Sequence, residues 1–488
     1  GPVRGKDVFV PLEFIIGGPK MAGQGWRMLM ECLAAGRSIS LPGSNTGMQK
    51  MVARAVGAYA RVRYQFKTAI GRFEGVEEAL TRIGANTYLS DAARVMTAGA
   101  IDLGEKPSVV SAIVKYHVTE RARQTVNDGM DVIGGKGICL GPQNFLGRAY
   151  QQIPVGITVE GANILTRSLI LFGQGAIRCH PYVLKEMHAA QQGDLNAFDK
   201  ALWGHVGFTV SNAARALIMG LTGSHFVKVP GDVAPETRRY YQQLTRFSAA
   251  FAFIADISMG TMGGALKRKE KLSARLGDIL SLMYLATATL KRYESEGRHS
   301  ADAPLMHWAI WDCMFRIQQA FEGVIANFPN KLFAFVLRRV VVFPLGRPYV
   351  VPSDKLGHKV AALLLEPSPT RDRLTADVHL PTDIEDPVGA LEAALAATLA
   401  AEPVEAKLKD ARRQGRFDPK NLASGDVDEI WRVALHAGVI DEREFALVER
   451  RNALRNKVIR VDDFPYDLDL KAAVQAMPER SPAQQVSA

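Results

Sequence analysis

From about residue 21 to residue 178, apolar residues recur at three- and four-residue spacing, cut only by short breaks rich in glycine and proline. That period belongs to a helix with one buried face. Breaks this short make consecutive helices fold back beside one another. The first run spans 26–67, behind Gly18, Gly23 and Gly25, and begins at Trp26; the second spans 76–100. Gly104-Glu-Lys-Pro-Ser108 interrupts the pattern, and Ser108 is the expected N-cap of a third helix. Its buried stripe reads Val109, Ile113, Tyr116, Val126, Met130 and Ile133, and Gly134-Gly-Lys-Gly137 stops it. A fourth helix covers 162–173. The expected fold class is mainly α: a four-helix bundle followed by a second helical region.

The flanks read differently. Residues 7–19, Asp-Val-Phe-Val-Pro-Leu-Glu-Phe-Ile-Ile-Gly-Gly-Pro, suggest a last strand running into a turn. One strand makes no sheet, so its partners are expected outside this chain. The start, Gly-Pro-Val-Arg-Gly-Lys-Asp, shows no signal peptide and reads as the end of a domain cut from something larger, or as a tag scar. After 178 the helical pattern continues to about 345. Its most apolar stretch, 247–266, contains Asp256 and is read as a buried bundle helix in preference to a transmembrane one. Residues 331–347 interleave Lys331, Arg338, Arg339 and Arg347 with Leu332, Phe333, Phe335, Val336 and Leu337. Such a helix either lies in a lipid interface or packs inside the second helical domain. Beyond 346 prolines and charges increase, 391–401 reads as helix, and 482–488 as a frayed tail.

Composition narrows the class. Hydrophobic residues at 47% and charged residues at 23% exclude wholesale disorder and collagen. Sixty basic against fifty acidic residues give +10, which favours anionic partners. No RNA-module or zinc-finger spacing accompanies the charge, so nucleic acid is not an expected partner. The cysteines, Cys32, Cys139, Cys179 and Cys313, form no close pair, which argues against a disulfide framework and a structural zinc site. The ten histidines show no metal spacing; His180 beside Cys179 reads as structural, and no metal is expected.

Three constellations could carry chemistry, each with a plainer reading beside it. Gly134-Gly135 is either a helix stop or a place where backbone meets a ligand closely. Glu160, in Ile157-Thr-Val-Glu-Gly-Ala-Asn163, is either a carboxylate favoured by a helix N-terminus or a base whose pKa apolar surroundings raise. Arg63 and Phe66 are either a solvated helix end or a phosphate contact.

Taken together, the order Arg63-x-x-Phe66, Gly134-Gly135-x-Gly137 and Val159-Glu-Gly161 before Ile-Leu-Thr-Arg-Ser resembles the C-terminal helical domain of the acyl-CoA dehydrogenases. Residues 7–37 resemble that family's passage from its β-domain into the bundle. Gly36-Arg37, Ser111-Ala-Ile-Val-Lys-Tyr116 and Thr158-Val-Glu-Gly-Ala-Asn-Ile-Leu-Thr-Arg167 resemble most closely the family's large bacterial long-chain members, which carry an extra C-terminal region. The resemblance implies four segments: 1–19 as the end of the β-domain, 20–178 as the bundle, 179–345 as a second helical domain, and 346–488 as an extension.

It also implies roles. Glu160 is the expected catalytic base that removes the α-proton of a fatty acyl-CoA, with FAD taking the β-hydrogen and a trans-2-enoyl-CoA leaving. Gly161 and Arg37 are expected at the substrate; Arg63, Phe66, Gly134 and Gly135 are expected at the FAD. An electron-transfer flavoprotein and a homo-oligomeric state follow from the resemblance, with a cytoplasmic location and a peripheral membrane contact as further expectations. Asp131, Ala162 and Gly75-Val-Glu77-Glu78 depart from the family pattern. The family's N-terminal helical domain and most of its β-domain have no counterpart here, so an incomplete active site is expected. An acyl-CoA oxidase and a non-catalytic docking scaffold are the alternatives.

Overall fold

The structure is a computed structural model that describes residues 3–25, 28, 33, 36–105, 108–418 and 427–464. It is mainly helical. Helices of eight residues or more are α1 (Leu41–Val62), α2 (Glu74–Asp102), α3 (Ser108–Ile133), α4 (Leu171–Arg178), α5 (Val183–Gln192), α6 (Leu195–Leu221), α7 (Pro235–Met262), α8 (Glu270–Ser295), α9 (Ala303–Ala326), α10 (Asp354–Leu365), α11 (Pro387–Arg413), α12 (Val427–His436) and α13 (Glu442–Ile459). Two residues each of β1 (Tyr64–Gln65) and β2 (Thr68–Ala69) pair antiparallel as a small hairpin.

Two compact units form. One comprises Gly1–Gly57, Ile70–Gly129 and Tyr150–Val378; the other comprises Ala58–Ala69, Met130–Ala149 and His379–Ala488. In the first, α8 pairs with α9, α2 packs on α8, α9 and α10, and α6 pairs with α7. Leu80, Ile83, Leu276, Ile279, Leu305, Ile310 and Ile317 are fully buried there. Small residues let backbones approach: a Cβ on Gly57 of α1 would lie 3.0 Å from the carbonyl carbon of Leu364 in α10. Charge is buried as well. Asp91 of α2 meets Lys50 of α1 at 3.0 Å and Arg292 of α8 at 3.0 Å, beside Arg94 at 2.6 Å. Burial alone would raise the Asp91 pKa, but the three cations outweigh it and hold the carboxyl below its ordinary range.

In the second unit, α11 and α13 pack together around Val404, Leu408, Phe417, Trp431 and Val448. Asp386 caps α11, and a reciprocal Asp441–Glu444 box caps α13.

The breaks fall close to where the sequence places them, with instructive exceptions. Residues 7–19 form no strand: two single helical turns, Leu12–Phe14 and Pro19–Met21, stand there, with Phe9, Leu12, Phe14 and Ile16 exposed. An extended segment needs a neighbour for its amides and carbonyls, and none is present to pair with it. The first helix ends at Val62, five residues short of Lys67, because Phe66 and Lys67 take left-handed backbone (φ +49° and +64°) in the β1–β2 turn. Its expected start at Trp26, the Lys106-Pro107 break, Cys32 and the 482–488 tail lie outside the described residues. The fourth helix is longer than 162–173. It is helical from Asn163 to Arg178, with a π-helical segment at Thr166–Ile170. A second π-helical segment, Gly36–Ser40, leads into α1.

The apolar run 247–266 sits mostly in α7, which packs against α6 and α8 as a bundle helix does. Among the described residues, one helix, Pro235–Arg268, is long and apolar enough to cross a membrane, and the bent pair Gly147–Thr158 with Asn163–Gly173 reaches the same measure only when taken together. The 331–347 run divides its faces. Leu337, Val341, Val342 and Phe343 are buried, while Lys331, Leu332, Phe335 and Arg339 are exposed.

Candidate active site

The sequence around Glu160 makes a tight turn. Glu160 and Gly161 both have left-handed backbone, at φ +54° and +95°. That conformation is natural for the glycine and strained for the glutamate, so the surroundings must impose it. They do so from three sides. Lys115, fully buried on α3, donates from Nζ to the Gly161 carbonyl at 2.8 Å and to Asn163 Oδ1 at 2.5 Å, with a longer contact to the Ile157 carbonyl at 3.4 Å. Thr166 Oγ1 donates to the same Gly161 carbonyl at 3.2 Å. Arg37, in the π-helical segment, donates from Nε to the Glu160 carbonyl at 2.6 Å. Asn163 is fixed in turn, its Nδ2 donating to Thr119 Oγ1 at 3.0 Å and Glu120 Oε1 at 2.9 Å.

The carboxylate is turned toward Gly36, where any Cβ would collide with it. At Gly161 a Cβ would lie 3.2 Å from the Arg37 guanidinium. Gly36 is therefore favoured by contact and Gly161 by its backbone conformation. One Glu160 carboxylate oxygen, Oε2, is buried with no hydrogen-bond partner among the described residues. The apolar residues beside Glu160 in the chain, Val159, Ile164 and Leu165, are exposed and do not enclose it. Burial, followed by the nearby Arg37 charge, pushes the Lys115 pKa down to about 8; Glu160 and Glu120 oppose that shift.

The other four expected site residues fall together in the second unit. Arg63 directly follows α1, and Phe66, 91% exposed, tips the β1–β2 turn. Gly134 (φ +67°) and Gly135 follow α3, both exposed, with open space where side chains would stand. The Tyr59 hydroxyl, one turn before Arg63, donates to the Ile133 carbonyl at 3.5 Å and so ties the two helix ends together. Asn144 shapes the loop beyond. Its Nδ2 donates to the carbonyls of Lys136, Gly137 and Cys139 at 2.8–3.1 Å, and its Oδ1 accepts from the amides of Leu146 and Gly147. A half-buried guanidinium, an exposed ring and bare backbone on adjoining helix ends suit a flavin dinucleotide's pyrophosphate and adenosine end. Among the described residues they form an open edge, without an enclosure for a flavin ring.

Sequence reasoning assigned no role to Lys115, Asn163 or Asn144. Lys115 did carry a signal: a lysine three residues after Ala112 and four before Thr119 lies on a face of α3 otherwise lined by small residues. His180 is more than a lone residue. It meets Asp256 at 3.0 Å, with His205 Nε2 3.5 Å from the same carboxylate oxygen. Their ligand atoms converge as metal ligands can. However, His180 Nδ1 accepts from the amides of Tyr182 and Val183, which leaves the proton on Nε2, facing Asp256. That tautomer suits a hydrogen-bonded network better than metal ligation.

Residues 23–172 match the family model "Acyl-CoA dehydrogenase, C-terminal domain", and residues 177–464 match "Acyl-CoA dehydrogenase, C-terminal, bacterial type". A probable acyl-CoA dehydrogenase of Bacillus subtilis is 23% identical over 348 residues, 67% of this chain and 52% of that protein. The mitochondrial very long-chain specific acyl-CoA dehydrogenase of Macaca fascicularis is 24% identical over 326 residues, 65% of this chain and 47% of that one. A 58-residue stretch, 12% of this chain and 34% of the relative, is 71% identical to Protein HemX of Proteus mirabilis. In fold, the chain is similar to an acyl-CoA dehydrogenase from Bacillus anthracis complexed with FAD. That match has a TM-score of 0.53 and 16% identity, and covers 70% of this chain and 57% of the other. The chain spans about half the length of the dehydrogenases it matches.

Proposed function

The chain belongs to the acyl-CoA dehydrogenase family, and from that premise we propose that it carries the base-bearing half of an FAD-dependent dehydrogenase. Its substrate is a fatty acyl-CoA of medium to long chain and its product the trans-2-enoyl-CoA of β-oxidation. The observation that carries this reading is Glu160. It is a carboxylate held on a strained turn, one oxygen buried and unpartnered, in the family's Val-Glu-Gly setting.

An α-proton beside a thioester is weakly acidic, so its base must be fixed close to it and its charge must not be spent on other partners. Glu160 meets both conditions. Its backbone is clamped by Arg37, the turn after it by Lys115, and its free oxygen is available to take the proton. Gly161 keeps that side of the turn free of a side chain, so the thioester can lie against the backbone. The Arg37 guanidinium beside it supplies positive charge where the enolate oxygen develops. FAD, when bound, supplies the acceptor for the β-hydrogen. Arg63, Phe66, Gly134 and Gly135 would hold its pyrophosphate and adenosine end, as part of a homo-oligomer in which that cofactor is shared between subunits. An electron-transfer flavoprotein would take the electrons onward.

The test uses the full-length protein. Palmitoyl-CoA added without oxygen is expected to bleach its flavin absorbance, and re-oxidation by electron-transfer flavoprotein but only slowly by O2 identifies the dehydrogenase. A flavin untouched by acyl-CoA would sink the proposal; fast re-oxidation by O2 would turn it to an oxidase.

We further propose a cytoplasmic protein that docks at the inner face of the membrane, through the exposed side of 331–347. Leu332 and Phe335 are uncovered there, and Lys331, Arg338 and Arg339 stand in the same run. Each cation near an anionic surface adds about 1 kcal/mol. Co-sedimentation with anionic vesicles is expected to weaken with salt and to fall severalfold in Arg338→Glu plus Arg339→Glu. Equal sedimentation of the two proteins, or none by either, removes the idea.

A further inference from the structure

A cleft of about 770 Å³ opens between α3, α8 and α9, lined also by Arg167. Five arginines face it, Arg121, Arg123, Arg167, Arg275 and Arg316, against three carboxylates, Glu120, Asp128 and Asp278. Every one of those carboxylates is already engaged. Asp278 binds Arg167 through two bonds, at 2.8 and 2.5 Å; Glu120 pairs with Arg123; Asp128 is held by Arg82 at 2.7 Å. Arg316 pairs with Asp312 at 2.8 Å behind the wall. Two guanidinium groups remain with no carboxylate partner among the described residues, Arg121 and Arg275.

Arg121 is the telling one. It is 7% exposed, its Nη1 donates only to the neutral Asn86 Oδ1, and its Nε has no hydrogen-bond partner. A guanidinium cannot shed its proton to escape burial. The nearest carboxylate acting on it, Asp312, is already bound to Arg316, and a buried charge so weakly compensated is costly, which folding tolerates only for a reason. The adjoining His117 sits under three of these cations, its Nε2 unpartnered, and burial followed by the Arg121, Arg316 and Arg167 charges drives its pKa well below the usual value. The wall thus carries a surplus of about two positive charges and donors aimed at no acceptor.

We propose that this cleft is a binding site for a small molecule bearing a phosphate dianion, held by Arg121 and Arg275. Arginine matches phosphate oxygens through paired N–H donors. The surplus charge equals that of the dianion, and the volume admits a nucleotide-sized body beside it, against Tyr116 and Leu282. Glu160 does not line the cleft, although Glu120 in its wall accepts from Asn163 of the Glu160 turn; the ligand need not be a substrate, and its occupancy can be read without turnover.

Calorimetric titration of the full-length, flavin-loaded protein with ADP, AMP and inorganic phosphate tests it. At least one of the three is expected to bind saturably, at about 1 mM or tighter, and more weakly as salt is raised. ADP binding more tightly than phosphate assigns recognition to phosphate plus body; equal binding assigns it to the phosphate alone. Arg275→Gln, at a half-buried position, is expected to weaken binding at least tenfold with an unchanged melting temperature. Arg121→Gln is expected to do the same or to abolish binding. No saturable binding by any of the three overturns the proposal. So does binding that persists unchanged in Arg275→Gln, since the ligand then sits elsewhere.

Discussion

Replacing Glu160 by Gln in the full-length protein is expected to slow acyl-CoA reduction of its flavin by about 10²-fold to 10⁴-fold, the usual worth of a positioned general base. Folding and flavin content are expected to stay near wild type, for a structural reason. The hydrogen bond that anchors this residue runs from Arg37 to its backbone carbonyl, and its Oε2 has no protein partner to lose. A glutamine therefore fits the same turn; it cannot take a proton, and it also removes a negative charge that acts on Lys115. Stopped-flow bleaching under anaerobic conditions reads the rate. Reduction at close to the wild-type rate would mean that another group removes the α-proton.

The second large effect is expected at Lys115→Met. Methionine fills similar volume but leaves Asn163 Oδ1 and the Ile157 carbonyl without their donor, at about 1–3 kcal/mol of stability. The Gly161 carbonyl keeps Thr166 and is spared in part. Activity is expected to fall further than stability alone explains, by about 10²-fold, because a base displaced by an ångström loses that much.

The pH dependence separates this lysine from a merely space-filling one. Its pKa in the fold, about 8, lies below the ordinary 10.5. Between those values the unfolded chain binds a proton that the folded one does not, so stability from this group rises with pH across that window. Below pH 8 both states are protonated and the penalty for burying the charge is fully present. The gap in unfolding free energy between wild type and Lys115→Met should thus widen from pH 8 to 10.5. A constant gap would show that Lys115 does not titrate in that window.

How far the sequence could be read follows from where the information lies. Helix periodicity and glycine breaks are local signals, and the long helices follow them. The end of α1 differs from the periodic pattern because a tight hairpin holds Phe66 and Lys67 left-handed, and no local signal marks that turn. Residues 7–19 have the composition of a strand but no partner, and composition cannot supply one. Glu160 was legible through its resemblance to a family motif, whereas Lys115 was hidden among the core residues of α3, its acceptors more than forty positions away. The arginine cleft was invisible for the same reason. Arg121, Arg275 and Arg316 lie on three helices far apart in sequence, and only packing shows which charges remain without partners.

The two π-helical segments, Gly36–Ser40 and Thr166–Ile170, bracket the turn that holds Glu160, one ending in the helix behind Arg37 and the other just after Asn163. Each stores one residue more than an α-helix of the same length would need. Removing that residue would leave a continuous, well-bonded helix, yet everything on one side of the cut would swing by about 100°. Arg37 would then point away from the turn, or Thr166 away from the Gly161 carbonyl. Insertions and deletions that surface loops absorb freely are therefore barred at these two places. Lineages descended from this protein should vary in length nearly everywhere before they vary there.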